Sequence, residues 1–206
     1  MTIENLELLL ATKNAGKIIE IKELLAVLSF RLRSLNDFAD VIEPEETGAN
    51  FIENAVLKAQ SYASQTGLST LADDSGLEVE ALGGAPGVFS ARYAGEGATD
   101  SERIEKLLKE LDETQNENRR ARFICALAIA SATGEIQFVA EGVCDGRIAS
   151  TASGEGGFGY DPVFVPNGFS KTFGELSSGT KQQISHRAQA TFKIIQYLRR
   201  FYAALS

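Results

Sequence analysis

Four segments of the chain carry residue types able to do chemistry at close spacing. Thr12-Lys13-Asn14-Ala15-Gly16-Lys17 reads as a strand-to-helix turn. Backbone N–H groups at a helix start attract phosphate, and Lys17 adds a full positive charge there. The stretch is not a Walker A loop, because Ile18 stands where Ser or Thr would hold magnesium and the leading glycine is missing. Taken alone, it reads more readily as a capped turn with solvent-facing lysines. Glu45-Glu46-Thr47-Gly48 and Asp73-Asp74-Ser75-Gly76 are two carboxylate clusters. An acidic run is commonly a solvated face, and an Asp pair after a strand is commonly turn chemistry. Converging on a cation is the alternative, and all-oxygen ligation without nearby His or Cys suits a hard ion such as magnesium. Asp73-Asp74 is the sharper cluster, since it closes an apolar strand, where α/β proteins often place catalytic groups.

The fourth segment joins residues 154–162 with Lys181 and Ser185-His186-Arg187. Gly154, Gly156 and Gly159 satisfy GxGxxG, yet Tyr160-Asp161-Pro162 follows instead of a helix, so a dinucleotide fold is not expected. The glycines are read as letting a loop approach a flat ligand, with Phe158 available to stack on a base. His186 and Arg187 open a helix and can donate hydrogen bonds, although a lone histidine is more often structural. His186 is the only histidine. That excludes two-histidine zinc sites and HExxH metalloproteases.

Elements must position these groups. Leu6 to Thr12 reads as a buried strand, followed by a helix bearing Ile18, Ile21, Leu24, Leu25 and Leu28 on one face. Asn50 opens a second helix with Glu53 at capping-box spacing and Phe51, Ala55, Ala59 and Tyr62 as its apolar face. Leu68 to Asp73 is a short strand, and Gly83 to Gly87 a tight loop. Thr99 and Glu102 repeat the capping-box spacing before Ile104, Leu107, Leu108 and Leu111, and residues 112–120 form an exposed connection. Phe123, Cys125, Leu127 and Ile129 alternate, and a turn at Thr133-Gly134 leads to Ile136, Phe138 and Ala140, as in a hairpin. A final helix, capped by Ser185, carries Ala188, Phe192, Ile195, Leu198 and Tyr202 on one face. Helices and strands interleave without strict βαβ alternation, so the fold class is α/β with a mixed sheet.

The 206 residues suit one large domain or two small ones. With 20 Lys+Arg against 28 Asp+Glu, the net charge is −8. That balance argues against broad binding to nucleic acid or an anionic membrane, both of which need a basic surface. Cys125 and Cys144 sit in apolar strand-like segments and read as core residues of a reducing compartment. The opening apolar run is too short for a signal peptide, and nothing approaches a membrane span. The expected location is the cytoplasm.

In this order, ATKNAGK, EETGANFIENAVLKA, ADDSGLEVEALGGAPGVFSARYAG, GGFGYDPVF and ISHRAQA resemble the inosine triphosphate pyrophosphatase family. The segments span residues 11–193, and the third and fourth are highly specific. The resemblance implies one domain over residues 1–206, with two α/β lobes flanking a long mixed central sheet and an active-site cleft. It implies a homodimer and a Mg2+-dependent hydrolysis of non-standard purine nucleoside triphosphates (ITP, dITP, XTP) to the monophosphate and pyrophosphate. By position, Glu45 and Asp74 match the metal-binding acids, and Asp74 the general base. Thr12, Lys13, Asn14, Ala15, Gly16 and Lys17 match the triphosphate turn, and Ser75 a substrate contact. Phe158, Gly159, Tyr160 and Asp161 match the nucleoside loop, and Lys181, His186 and Arg187 the groups around the purine. Two departures stand out: Lys13 replaces a common glycine, and Gln182-Gln183-Ile184 differs from the usual approach to Ser-His-Arg. The rival readings are a Maf-like pyrophosphatase acting on other modified nucleotides and a nucleotide sensor without turnover.

Overall fold

The computed structural model describes residues 7–28, 31–114 and 116–203. Leu6, read above as the start of a strand, and Gln115, within the exposed connection, lie outside that set. The elements run β1 (Glu7–Ala11), α1 (Ala15–Leu25), β2 (Arg31–Ser34), α2 (Phe51–Thr66), β3 (Thr70–Val79), α3 (Asp100–Glu113), β4 (Arg120–Ala130), β5 (Ile136–Ile148), β6 (Phe164–Pro166), α4 (Ser178–Ile184) and α5 (His186–Ala203). Six strands form one sheet in the order β2-β1-β3-β4-β5-β6. β1 runs parallel to both β2 and β3, while β6 runs antiparallel to β5. The sheet is therefore mixed and flanked by helices, as the interleaved pattern implied. Among the described residues, no helix is long and apolar enough to cross a membrane.

The chain divides into two compact units. The first takes in the described residues up to Asp74, then Cys125–Gly142 and the chain from Arg187 onward. Its core gathers Leu8 and Leu10 of β1, Ile21 and Leu25 of α1, Leu71, Leu127 and Ile129 of β3 and β4, and Ala190, Ile194, Ile195 and Leu198 of α5. The second unit comprises Ser75–Ile124 and Val143–His186. Its core joins Leu77 and Val79 to Ile104, Leu107 and Leu111 of α3 and to the aromatic group Phe123, Tyr160, Phe164 and Phe173. Each unit buries its own apolar side chains, so each supplies its own hydrophobic driving force. Cys125 and Cys144 are free and buried, one in each core, as their apolar surroundings implied.

Four local expectations need correction. β2 is absent from the sequence reading because Arg31-Leu32-Arg33-Ser34 offers only one apolar residue. It is an edge strand whose arginines pair with Glu7 and Asp37, and charge on an edge discourages further pairing. β3 does not end at Asp73 but continues to Val79, because both aspartates are charge-paired within it. In β4 the alternation is overridden, every residue from Phe123 to Ala130 being buried as in a central strand covered on both faces. Phe192, expected on the buried face of α5, is 60% exposed, while Ala190, Ile194, Ile195 and Leu198 form the buried stripe. The side chain of Tyr202 lies outside the described set.

Candidate active site

In the first unit, the groups with chemical potential gather around the paired aspartates of β3. Asn14 caps α1, its side-chain oxygen accepting from the Lys17 N–H at 3.0 Å, while the Asn14 N–H donates to the Thr12 hydroxyl at 3.2 Å. The turn is thus pinned by its own side chains. Its two lysines differ. Lys13 pairs at the surface with Glu43 at 2.9 Å. Lys17 points inward and pairs with the Oδ1 of Asp73. Asp73 is fully buried, and its Oδ2 accepts from the Arg187 Nε at 3.2 Å and from the Cys125 thiol at 3.2 Å. Burial would raise its pKa, but the Lys17 and Arg187 charges hold it far below the usual carboxylate range. The Arg187 Nη1 also donates to Glu20 on α1 at 2.6 Å.

Asp74 sits on a second chain of contacts. Lys58 donates to its Oδ1 at 2.6 Å, reaches the Asp73 carbonyl at 3.3 Å, and pairs with Glu46 at 2.5 Å. Asn54 donates to the Asp74 Oδ2 at 3.4 Å and accepts from the Gly48 N–H at 2.7 Å. A Cβ on Gly48 would lie 2.6 Å from that Asn54 oxygen, so only glycine admits this link between the acidic segment and α2. Burial raises the Asp74 pKa, and the Glu46 charge adds to the effect, outweighing Lys58 and Lys17. Lys58 shows the converse: burial lowers its pKa, but Asp74 and Glu46 together hold it above its ordinary value. Glu45 itself is exposed.

Among the contacts above, three cations (Lys17, Lys58, Arg187) interleave with four carboxylates (Glu20, Glu46, Asp73, Asp74). An ammonium already held between two carboxylates shows that this donor set accepts positive charge. All-oxygen donors of this kind fit a hard divalent cation, which keeps several waters and needs few protein ligands. No group of three or more His, Cys, Asp or Glu able to hold a metal occurs among the described residues. A hard divalent cation on one or two of these carboxylates would complete its shell with water or phosphate oxygens.

Lys58 and Asn54 escaped the sequence reading. Their signal was present: at i and i+4 they fall on the α2 face bearing Phe51, Ala55, Ala59 and Tyr62. A lysine and an asparagine interrupting a buried stripe call for buried polar partners.

In the second unit, Phe158, Gly159, Tyr160 and Asp161 form a turn with each residue held. The Phe158 N–H donates to the Asp161 Oδ2 at 2.8 Å, the Gly159 N–H to the Asp100 Oδ2 at 2.6 Å, and the Tyr160 hydroxyl to the Ser90 carbonyl at 2.9 Å. Lys181 pairs with Asp161, both side chains being almost fully buried. Its Nζ lies 4.8 Å from the Phe158 ring centroid and 5.5 Å from that of Phe173, a cation–π arrangement. His186 is stacked on Phe123 at 4.6 Å and 9°. Ser75 follows Asp74 on β3 and is partly buried.

Two of the three glycines of GxGxxG pack against backbone: a Cβ on Gly154 would lie 2.1 Å from the carbonyl carbon of Gly174, and one on Gly156 would lie 3.0 Å from the Gly174 oxygen. The Gly156 N–H donates to the Gly174 carbonyl at 2.9 Å. Arg187, assigned to the purine, is only 2% exposed and engages Asp73 and Glu20 in the first unit.

Residues 8–197 match the Ham1 family. A dITP/XTP pyrophosphatase of Geobacillus kaustophilus is 52% identical over 188 residues, covering 91% of this chain and 92% of its own. One from Bacillus licheniformis is 50% identical over 188 residues, covering 91% and 95% respectively. The solved structure of a HAM1 protein from Coxiella burnetii superposes with a TM-score of 0.87 at 43% identity, covering 95% of this chain and 99% of that one.

Proposed function

The chain belongs to the Ham1 family, and from that premise we propose that it hydrolyses non-standard purine nucleoside triphosphates to the monophosphate and pyrophosphate. The observation that carries this reading is the buried pair Asp73-Asp74, one holding Lys17 and the other Lys58. Water attacks the α-phosphorus, a new P–O bond forms, and the bond to the bridging oxygen of the β-phosphate breaks. Asp74 orients that water and takes its proton. Lys17 and the N–H groups of the capped turn offset charge gathering on the departing pyrophosphate.

Asp74 and Glu45 are the proposed ligands of Mg2+; Lys58 pairs with both Asp74 and Glu46, and Glu45 is the exposed acid beside them. When bound, the ion would screen the triphosphate charge and polarise its phosphoryl oxygens.

On the nucleoside side, Phe158 offers a ring face to the base, and Lys181 and His186 offer N–H donors to the C6 oxygen of hypoxanthine or xanthine. Adenine presents an amino group there and would leave such a donor unpaired. Sites built on a hydrogen bond of this kind can discriminate by about 10⁴–10⁵. The same reading carries a cytoplasmic homodimer that acts on free nucleotides and not on nucleic acid, and a mass measurement in solution tests the dimer.

Asp74→Asn should lower turnover of ITP by about 10²–10⁴-fold, the usual worth of a general base, while ITP still binds. Product analysis should show IMP and pyrophosphate for the wild type. A variant that turns over at the wild-type rate would remove Asp74 from the mechanism.

A further inference from the structure

We propose that Asp100, locked by Arg103, is a positioning residue for the nucleoside side of this reaction, holding the backbone beneath Phe158. The proposal rests on the reading that residues 158–161 contact the nucleoside.

Phe158 sits between Gly157 at φ +74° and Gly159 at φ +62°, both in the left-handed region. Glycines on either side leave the aromatic ring on an intrinsically permissive backbone. Two successive amides are captured by two different carboxylates. The Phe158 N–H goes to Asp161, three residues along, whereas the Gly159 N–H goes to Asp100, 59 residues away in sequence. Asp100 is therefore a contact by which α3 holds the turn. A backbone N–H bonded to an ionised acceptor at 2.6 Å is a charge-assisted hydrogen bond of the stronger kind.

The carboxylate is itself held in one orientation. Its other oxygen pairs with the Arg103 Nη2, and the same guanidinium donates through Nη1 to the carbonyls of Ala91, at 2.9 Å, and Ala98. Asp100 is also the first residue of α3, whose N-terminus is closed separately by the Thr99–Glu102 capping box. The side chain is 44% exposed, so it contributes little to the core. Its contribution is geometric: it sets where the Gly159 N–H, and with it Phe158, is found when the nucleotide arrives.

The test is steady-state kinetics with ITP, together with inhibition by inorganic tripolyphosphate, which carries phosphates but no nucleoside. Asp100→Ala should raise KM for ITP about tenfold with kcat little changed, since small misplacements of a binding group commonly cost that much or more. It should leave the tripolyphosphate inhibition constant unaltered. Asp100→Asn keeps an oxygen for the Gly159 N–H and should restore most of KM, which a purely structural role of the negative charge would not. A wild-type KM in Asp100→Ala, equal losses toward ITP and tripolyphosphate, or an Asn variant as impaired as Ala would each overturn the proposal. Phe158→Ala separates the two levels. If it raises KM while Asp100→Ala does not, only the positioning role fails; if neither changes KM, the assignment of the nucleoside to this loop fails as well.

Discussion

Asp73→Asn is the most searching test of how the first unit holds its charged groups. The substitution keeps the shape of the side chain but removes the charge that joins Lys17, Arg187 and the Cys125 thiol. Arg187 keeps Glu20, whereas Lys17 loses the carboxylate it pairs with, its side chain being only 16% exposed. Removing one partner of a buried pair typically costs about 3–5 kcal/mol, because the remaining charge is left uncompensated. With Glu20 still compensating the guanidinium, about 3 kcal/mol is expected. For a chain of this size that corresponds to a loss of about 6–12 °C in Tm. The sign of the pH effect follows from linkage. Asp73 has a folded pKa below its unfolded value, so its stabilisation is complete above the unfolded value and is lost as pH falls toward the folded one. The gap between wild type and variant should therefore be widest near neutrality and narrow below about pH 4, where an unfolded aspartate begins to protonate. Urea unfolding of both proteins at neutral and acidic pH measures this directly. A variant within about 1 kcal/mol of wild type at neutral pH, well under the worth of a buried pair, would refute the reasoning. So would a gap that does not narrow in acid.

Three further outcomes concern the acids and the glycine turn. Glu45→Gln should raise the Mg2+ concentration needed for half-maximal ITP hydrolysis by about 10–100-fold, at least what an outer-shell partner is worth. Glu46→Gln should act on kcat through Lys58 with a smaller change in Mg2+ requirement, and the opposite pattern would make Glu46 the ligand. Gly157→Ala should cost more than Gly159→Ala in thermal unfolding and in KM for ITP. Both pay roughly 1–2 kcal/mol for a left-handed backbone. Only the former drives a Cβ to within 1.9 Å of the Asp161 carboxylate, while nothing lies within 4 Å of the latter.

Much of the molecule was legible from residue order because the signals are local. Asn14, Asn50 and Thr99 cap the helices where their side chains can reach the next free N–H. The stripe of Ile104, Leu107 and Leu111 follows from helical periodicity, and the order of five short motifs sufficed to mark the family. Partnership between distant charges has no such local trace. That Asp73 belongs to Lys17 and Arg187, and Asp74 to Lys58, depends on which helices pack against β3. The two aspartates looked like the end of a strand because isolated carboxylates do not bury. Once cations from α1, α2 and α5 neutralise them, the strand runs on to Val79. The same holds for Arg187: in the sequence it is a helix-opening arginine, and only folding presents it with two carboxylates. Residue types and spacing announce which chemistry is on offer, but charge compensation across elements far apart in the chain selects the groups that can use it.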